Sequence, residues 1–533
     1  MATKSNMFDK YFEMPNPGLR AYFSHVVSGN DEIYRTPFYK GKDVNTLLQM
    51  WIRQLNGYKL KQQWPTLYQF EIDLGEKVGP MSVMKPLKDR ISDIDAYYDL
   101  ISLDQIPLDP RAIAASKDEW KDVAGIQIKS AENTVEVMKK STNSGSPYFT
   151  KRKRVVDRTL PAFVYPNDHD VIQELQDSKW NGCAVLGWRG QEGGPKPEDV
   201  KQRVVWMFPF AVNIQELRVY QQLIATFQKK NYVPAWVGMD AVDREITRMF
   251  DTKGRNDDVI CTDFSKFDQH FNPVCQDTAK ELIEYLFHGD PELRGWIENV
   301  FPIKYMIPLA YDMGKIRFGK HGMGSGSGGT NADETLLHRT LQHEAAILNG
   351  STLNPHSQCL GDDGVLTYPG CCVDDVVRTY TSHGLEMNLT KQYVSKLDCE
   401  YLRRWHHTDY RKDGVCVGVY ATTRALGRLC YQERFYDAEE WGPKMVALRQ
   451  LSILENVKYH PLNEQFVDFC MKGDKYRLGL DIPGFFDHLE REVQRAIDHM
   501  PDFMGYTRSL QSDGNPSVGI NDWWIVKYLK SKA

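Results

Sequence analysis

The sequence predicts an α+β fold: a ferredoxin-like antiparallel sheet followed by a mostly helical region. Two observations carry this. Between residues 258 and 394 the apolar pattern switches period in the succession β-α-β-β-α-β, the split arrangement of ferredoxin-like sheets. After Arg404 the period is helical in long stretches, for instance residues 438–456 and 485–500.

Taken in order, residues 1–250 read as irregular, aromatic and punctuated by turns. Basic clusters stand out there: Lys139-Lys140, Lys151-Arg152-Lys153-Arg154 and Lys201-Gln202-Arg203. Residues 182–201, with Gly187, Gly190, Gly193, Gly194, Pro195 and Pro197, read as a long loop. Such loops inside a compact protein are usually functional. Val259-Ile260-Cys261 reads as a buried strand with Asp263 at its exit. Residues 276–287 place Ala279, Leu282, Ile283 and Leu286 on one helical face, and Gly289 ends the run.

A second helix is expected over 330–348, with Leu337, Leu341, Ala345 and Leu348 as its stripe and Asn349-Gly350 as its stop. Gln358-Cys359-Leu360, a polar turn over 361–364, and residues 365–368 read as strand, turn, strand, with Asp363-Gly364 as the turn dipeptide. A third helix over 373–383, stopped by Gly384, and a short strand near Gln392-Tyr393-Val394 complete the unit. If the first strand and the hairpin are neighbours, Asp263 and Asp362 lie side by side despite their distance in sequence. The chain closes on an aromatic stretch, Trp523-Trp524 to Tyr528.

At 533 residues the chain is large enough for several packed regions. Hydrophobic residues at 41% and charged residues at 26% are ordinary globular values, which excludes a mainly disordered chain. A net charge of −5 excludes a general basic coat, so any nucleic-acid contact must use local patches. The ten cysteines form no CxxC pair, which suits a reducing compartment. Neither a secretory signal nor an apolar run of membrane-spanning length is expected, and Ala2 excludes N-myristoylation.

Three clusters carry the chemistry: Asp263-Phe264-Ser265-Lys266-Phe267-Asp268, then Ser325-Gly326-Ser327-Gly328-Gly329-Thr330-Asn331, then Gly361-Asp362-Asp363-Gly364. Phosphoryl transfer needs positioning and charge neutralisation more than covalent chemistry. Two Mg²⁺ ions about 3.5–4 Å apart can stabilise both the attacking and the departing oxygens. Mg²⁺ favours a few carboxylates plus substrate phosphate oxygens. Asp263 and Asp362 are therefore the expected metal ligands, with Asp363 auxiliary, and the order of clusters points to a template-directed nucleic-acid polymerase.

Asp263-x4-Asp268, Ser325-Gly326-x3-Thr330 and Gly361-Asp362-Asp363 resemble motifs A, B and C of viral RNA-dependent RNA polymerases. Residues 263–271 and 324–331 are most similar to those of picobirnaviruses, with partitivirus polymerases as relatives. The resemblance implies further roles. Lys201 and Arg203, with Arg189, match the basic motif over the incoming triphosphate. Ser144 and Gly145, in Thr142-Asn143-Ser144-Gly145-Ser146-Pro147, match the template-entry motif, and Lys151, Arg152, Lys153 and Arg154 are expected on RNA phosphates. Lys391 matches the lysine that protonates pyrophosphate. Arg403 and Arg404 fall in a primer-grip-like stretch, and Gly326 is expected against RNA.

The ribose 2′-hydroxyl both donates and accepts, and Asp268 with Ser325, Thr330 and Asn331 is expected to read it. Relatives place Asn where this chain has Glu334, which leaves open which side chain of that helix completes the contact. The implied architecture is a right hand. Residues 1–250 give the N-terminal region and fingers. The palm is 251–403, with a fingers insertion near 290–322, and 404–533 give the thumb and C-terminal tail. The implied function is Mg²⁺-dependent (or Mn²⁺-dependent) RNA synthesis on RNA for a double-stranded RNA virus. Expected partners are RNA template and product, nucleoside triphosphates and viral capsid protein. A monomer is expected in the virion interior and host cytoplasm, without membrane contact. The alternatives are a reverse transcriptase, disfavoured by Asp268 and by Leu360-Gly361 before the aspartates, and a non-catalytic RNA-binding protein.

Overall fold

The structure, a computed structural model, describes residues 7–437, 441–497 and 519–533. Its strands in chain order are β1 Phe163–Asn167, β2 Asp170–Glu174, β3 Lys179–Gly182, β4 Ala184–Gln191, β5 Lys201–Met207, β6 Val259–Thr262, β7 Leu309–Asp312, β8 Lys315–Arg317, β9 Gln358–Leu360, β10 Asp363–Leu366, β11 Tyr393–Ser395, β12 Asp398–Tyr401 and β13 Arg404–His407.

The expected ferredoxin-like sheet is present, in the order β11-β6-β10-β9 with every pair antiparallel. All four residues of β6 are buried, which is why this strand reads as an unbroken apolar run. The Pro273–Leu286 and Thr330–Leu348 helices pack together, and Leu282, Ile283, Leu286, Leu337 and Leu341 are fully buried in the same core. Each such side chain contributes about 2 kcal/mol of transfer free energy. A second sheet, β5-β4-β7-β8, brings residues 309–317 beside 184–207, with β7 parallel to β4.

Two expectations for the first 250 residues need correction. The region is rich in helices, including Pro17–Ser28, Val44–Gly57, Pro65–Glu76, Phe210–Lys230 and Met239–Thr252. The Phe210–Lys230 helix hid its period because it buries Asn213, Gln215 and Glu216 along with its apolar residues. Half of residues 182–201 are strand, chiefly β4, and only 192–200 lie between β4 and β5. Gly190 falls inside β4 because a Cβ there would come within 2.0 Å of the Met81 carbonyl oxygen.

The hairpin turn also differs from expectation. Asp363 already pairs with Leu360, so the two-residue turn is Gly361-Asp362, with Gly361 at φ +57°.

The buried side chains form two large cores that cut across the expected division at residue 250. Trp51, Leu55, Leu67 and Phe70 pack with Leu448, Leu451, Phe466 and Leu529. The buried Glu71 carboxylate accepts from the Thr422 and Thr423 amides (2.6 and 3.0 Å), which are orphan donors at the start of the Thr422–Cys430 helix. His460 Nε2 lies 3.0 Å from the same carboxylate. Residues 38–78 thus belong with the C-terminal helices.

The C-terminal aromatic stretch is itself helical from Trp524 to Lys530. Its Ile525, Val526 and Leu529 are buried in the second core, and Glu455 accepts from the Trp524 and Ile525 amides. Of the other two expected helices, the observed spans are Pro443–Glu455 and Leu489–Ala496. Residues 438–440 and 498–500 of those expectations lie outside the described residues.

Candidate active site

The β6–β10 ladder pairs Thr262 with Gly364, so one step outward Asp263 stands opposite Asp363, with Asp362 at the hairpin tip beside them. Asp263 and Asp362 are solvent-exposed and Asp363 is half-buried. Although Asp362 is open to solvent on one side, desolvation by the protein around the turn pushes its carboxyl up, and the Asp268 and Asp263 charges push it further, against the pull of Arg203. Asp363 is raised to about 7, first by burial and then by Asp362, while the Leu402 amide and Arg403 oppose the rise. Asp363 and Asp362, each raised further by the Asp263 charge, occupy a place where a cation would relieve the repulsion. The expected convergence of Asp263 with the Gly-Asp-Asp turn is observed.

Several groups hold this arrangement. Gln392 clamps the Asp263 backbone, accepting from its amide (2.7 Å) and donating to its carbonyl (2.9 Å). Lys391, the preceding residue, is exposed. Asp363 Oδ2 accepts from the Leu402 amide at 2.9 Å. Leu402 and Arg403 form the β12–β13 turn with φ of +53° and +56°, unfavourable values for residues with a Cβ. On the other side, the Thr330–Leu348 helix grips Gly361: its amide donates to Thr335 Oγ1 (2.9 Å), and its carbonyl lies 2.8 Å from His338 Nδ1. Burial lowers His338 to about 4, so the ring is neutral at pH 7 and donates through Nδ1.

A basic wall faces the carboxylates. Lys201 and Arg203 are exposed on β5. The lysine is lowered first by burial and then by the neighbouring charges of Lys77, Arg403 and Arg203, whereas Asp263 raises it. Lys77, at the end of the Pro65–Glu76 helix, thus joins a cluster of four cations beside Asp263. Arg403 is 3.7 Å from Glu192, which also binds Arg424 at 3.0 Å. Arg189 lies opposite Arg203 across the β4–β5 ladder and pairs with Glu433 at 3.1 Å.

The glycine-rich loop is fixed largely from within. Ser325 Oγ donates to the Val204 carbonyl (3.2 Å) and accepts from the Trp206 amide (3.3 Å), tying the loop to β5. Thr330 Oγ1 sits within 3.1 and 3.2 Å of the Gly324 and Ser327 carbonyls. Gly326 packs so closely on β5 that a Cβ would fall 1.5 Å from the Trp206 carbonyl oxygen. Asn331 is exposed, with its Oδ1 accepting from Trp236 Nε1 at 2.8 Å. Asp268 is half-buried, and its charge acts on the carboxyl of buried Glu334. Burial first, then the Asp268 charge, pushes the Glu334 carboxyl well above its usual range.

Not every expected RNA contact is available at the surface. Ser144 and Gly145 are buried: the Ser144 carbonyl accepts from the Phe210 amide at 2.8 Å, and Gly145 packs on the Phe208 carbonyl. Arg404 is committed to a bidentate pair with buried Asp243 at 2.9 and 3.0 Å. Arg152 is half-buried, stacks on Phe210 and donates to Asn213 Oδ1 at 2.8 Å, whereas Lys151, Lys153 and Arg154 are exposed. Sequence reasoning missed Thr335, His338, Gln392, Lys77 and Glu216. The signal for the first two was their spacing from Asn331 and Glu334 along one helix face; the others had none.

Among the described residues, no three His, Cys, Asp or Glu side chains are already gathered as a metal-binding group, and no helix is long and apolar enough to cross a membrane. A cavity of about 600 Å³ lies elsewhere, lined by Val27, Leu87, Ile91 and Tyr311. Comparison with known proteins agrees with the site. The family described as viral RNA-dependent RNA polymerase matches residues 121–410. A "potential RNA-dependent RNA polymerase" of a human picobirnavirus is 66% identical, covering 100% of both chains. The crystal structure of a human picobirnavirus RNA-dependent RNA polymerase is similar at a TM-score of 0.95 and 65% identity, over 99% of each chain. That of its insertion-loop deletion mutant is similar at 0.93 and 63%, over 99% of each. With the carboxylate turn, basic wall and glycine-rich loop around one end of the β6–β10 pair, this chain belongs to the viral RNA-dependent RNA polymerases.

Proposed function

We propose that the chain replicates and transcribes the genome of a double-stranded RNA virus by two-metal nucleotidyl transfer centred on Asp263 and Asp362. The observation that carries this reading is the ladder register that sets Asp263 against the Gly361-Asp362-Asp363 turn. The residues present suit Mg²⁺, or Mn²⁺ in its place. Asp263 and Asp362 offer exposed hard oxygens, and Asp363 is partly spent on Leu402. The lack of a ready-made protein cage among the described residues agrees with an ion that completes its shell on substrate phosphates. When bound, the metal pair would supply activation of the 3′-oxygen and charge neutralisation at the leaving pyrophosphate.

The protein's own groups do the rest. Lys201, Arg203, Arg403 and Lys77 orient the triphosphate by charge. Gln392, Leu402, Thr335 and His338 keep the carboxylates in register. Asp268, beside the buried Glu334, accepts from the ribose 2′-hydroxyl. Lys391 is the candidate proton donor to pyrophosphate. Lys151, Lys153 and Arg154 contact template phosphates, with a salt-sensitive affinity. A monomer packaged with capsid protein and acting in the virion and host cytoplasm completes the reading.

The test is nucleotide incorporation on an RNA template by wild type, Asp263→Asn and Asp362→Asn. Both variants are expected to fall by at least about 10³-fold, and retained activity in either would remove the metal-site assignment.

A further inference from the structure

A chain of hydrogen bonds, exposed where Arg152 meets Lys139 and buried at Glu216, connects the segment around residues 139–152 to the glycine-rich loop. Arg152 donates through Nη1 to the Lys139 carbonyl (3.2 Å) and through Nη2 to Asn213 Oδ1 (2.8 Å). Asn213, 5% exposed, turns its amide nitrogen to the Gly326 carbonyl (3.2 Å) and to Glu216 Oε1 (3.1 Å). Glu216, 0% exposed, accepts from the Ser327 hydroxyl on Oε2 and from the Gly328 amide on Oε1 at 3.1 Å. Ser327 Oγ in turn accepts from the Gly329 amide at 3.0 Å.

Burial pushes the Glu216 carboxyl up, while the buried Lys304 ammonium and the Ser327, Gly328 and Asn213 donors pull it down; every neighbour named around it is a donor, so its two oxygens are bracketed as acceptors. A buried carboxylate is costly unless its partners are fixed. Holding Ser327 and Gly328 directly, and Gly326 through Asn213, offsets that cost and restrains the loop.

We propose that Arg152, Asn213 and Glu216 form a positioning relay that sets the 324–329 loop from the template-entry side. It rests on the reading of that loop as part of the nucleotide site. The relay places Arg152 among positioning residues, although its sequence neighbours are exposed cations suited to RNA.

The experiment is steady-state incorporation, with nucleotide KM, kcat and template Kd over a salt series. The variants are Glu216→Gln, Arg152→Ala, Arg152→Lys, Ser327→Ala and Ser327→Ala/Glu216→Gln, with thermal unfolding of each read in parallel. Glu216→Gln loses one acceptor lobe and should raise the nucleotide KM about tenfold, with kcat changed far less. The double variant should be no worse than Glu216→Gln, because both act through one contact. Arg152→Ala should raise the nucleotide KM several-fold with the template Kd and its salt slope unchanged, and Arg152→Lys should recover part of the loss.

The relay is overturned if Arg152→Ala instead weakens template binding, reduces the salt slope by about one and leaves the nucleotide KM alone. It is also overturned if all variants merely lower the unfolding midpoint with KM unchanged. If Ser327→Ala itself leaves the nucleotide KM unchanged, the loop is not part of that site and the underlying reading falls. If Ser327→Ala raises KM but Glu216→Gln does not, only the relay falls.

Discussion

Asp363→Asn should make the metal-free protein more stable at pH 8 and much less so at pH 5. Asp363 is raised from 3.8 to about 7 in the folded chain, chiefly by burial and by the Asp362 charge beside it. Because its folded value lies above its unfolded one, its contribution to stability is intact below about pH 4 and lost as the pH rises through 7. At about 1.36 kcal/mol per unit, the ionised carboxylate costs roughly 4 kcal/mol at pH 8 but under about 2 kcal/mol at pH 5. Asparagine removes the charge, keeps the volume, and still offers an oxygen to the Leu402 amide now held by Asp363 Oδ2. The assay is urea unfolding of wild type and variant in EDTA at the two pH values, with incorporation measured in Mg²⁺. The expected result is a variant with a higher midpoint at pH 8, a smaller gain at pH 5 and impaired synthesis. Equal stability at pH 8, or the same gain at both pH values, would refute the claim that this carboxylate is held against its own repulsion.

Thr335→Val keeps the side-chain shape but leaves the Gly361 amide without its acceptor, now at 2.9 Å, and should cost about 1–3 kcal/mol while lowering kcat; unfolding midpoints and turnover check this. Asp333→Asn leaves the buried Lys304, now 3.1 Å away with both side chains 0% exposed, without its nearest counter-charge and with only Glu216 still acting on it. A loss of about 3–5 kcal/mol is expected in urea titration. Arg404→Ala should act through stability, because it strands buried Asp243, and the salt slope of RNA binding should stay that of the wild type.

The sheet was legible in the sequence because its signals are local. The apolar run Val259-Ile260-Cys261 ends in an aspartate, and a glycine-bearing turn separates two short apolar strands, so an antiparallel sheet with that strand beside the hairpin followed from pairing them. The turn was misplaced by two residues because both Gly361-Asp362 and Asp363-Gly364 are acceptable turn pairs. What decides is the grip of Thr335 and His338 on Gly361, a contact no local pattern encodes. Strand β4 was hidden for a related reason. Gly187 and Gly190 look like loop residues, yet they are there because Tyr22 and the Met81 carbonyl press against the strand.

Charge was the least reliable guide to contact. Arg152 and Arg404 read like their neighbours on paper, but burial assigns them to Asn213 and Asp243. The same holds for Ser325 and Thr330, whose hydroxyls hydrogen-bond to backbone groups, and for Ser144 and Gly145, which lie inside. The N-terminal helices joined the C-terminal core through Glu71 and Trp51, partners more than 350 positions away in sequence.

The most direct measurement is a crystal of this protein soaked with Mn²⁺ and a nucleoside triphosphate on a primed template, read by anomalous scattering. Two peaks bridging the carboxylates of residues 263 and 362, with the triphosphate against Lys201 and Arg203, are the predicted result. Peaks bound away from both aspartates, or a nucleotide seated at this edge with no ion beside it, would contradict the account.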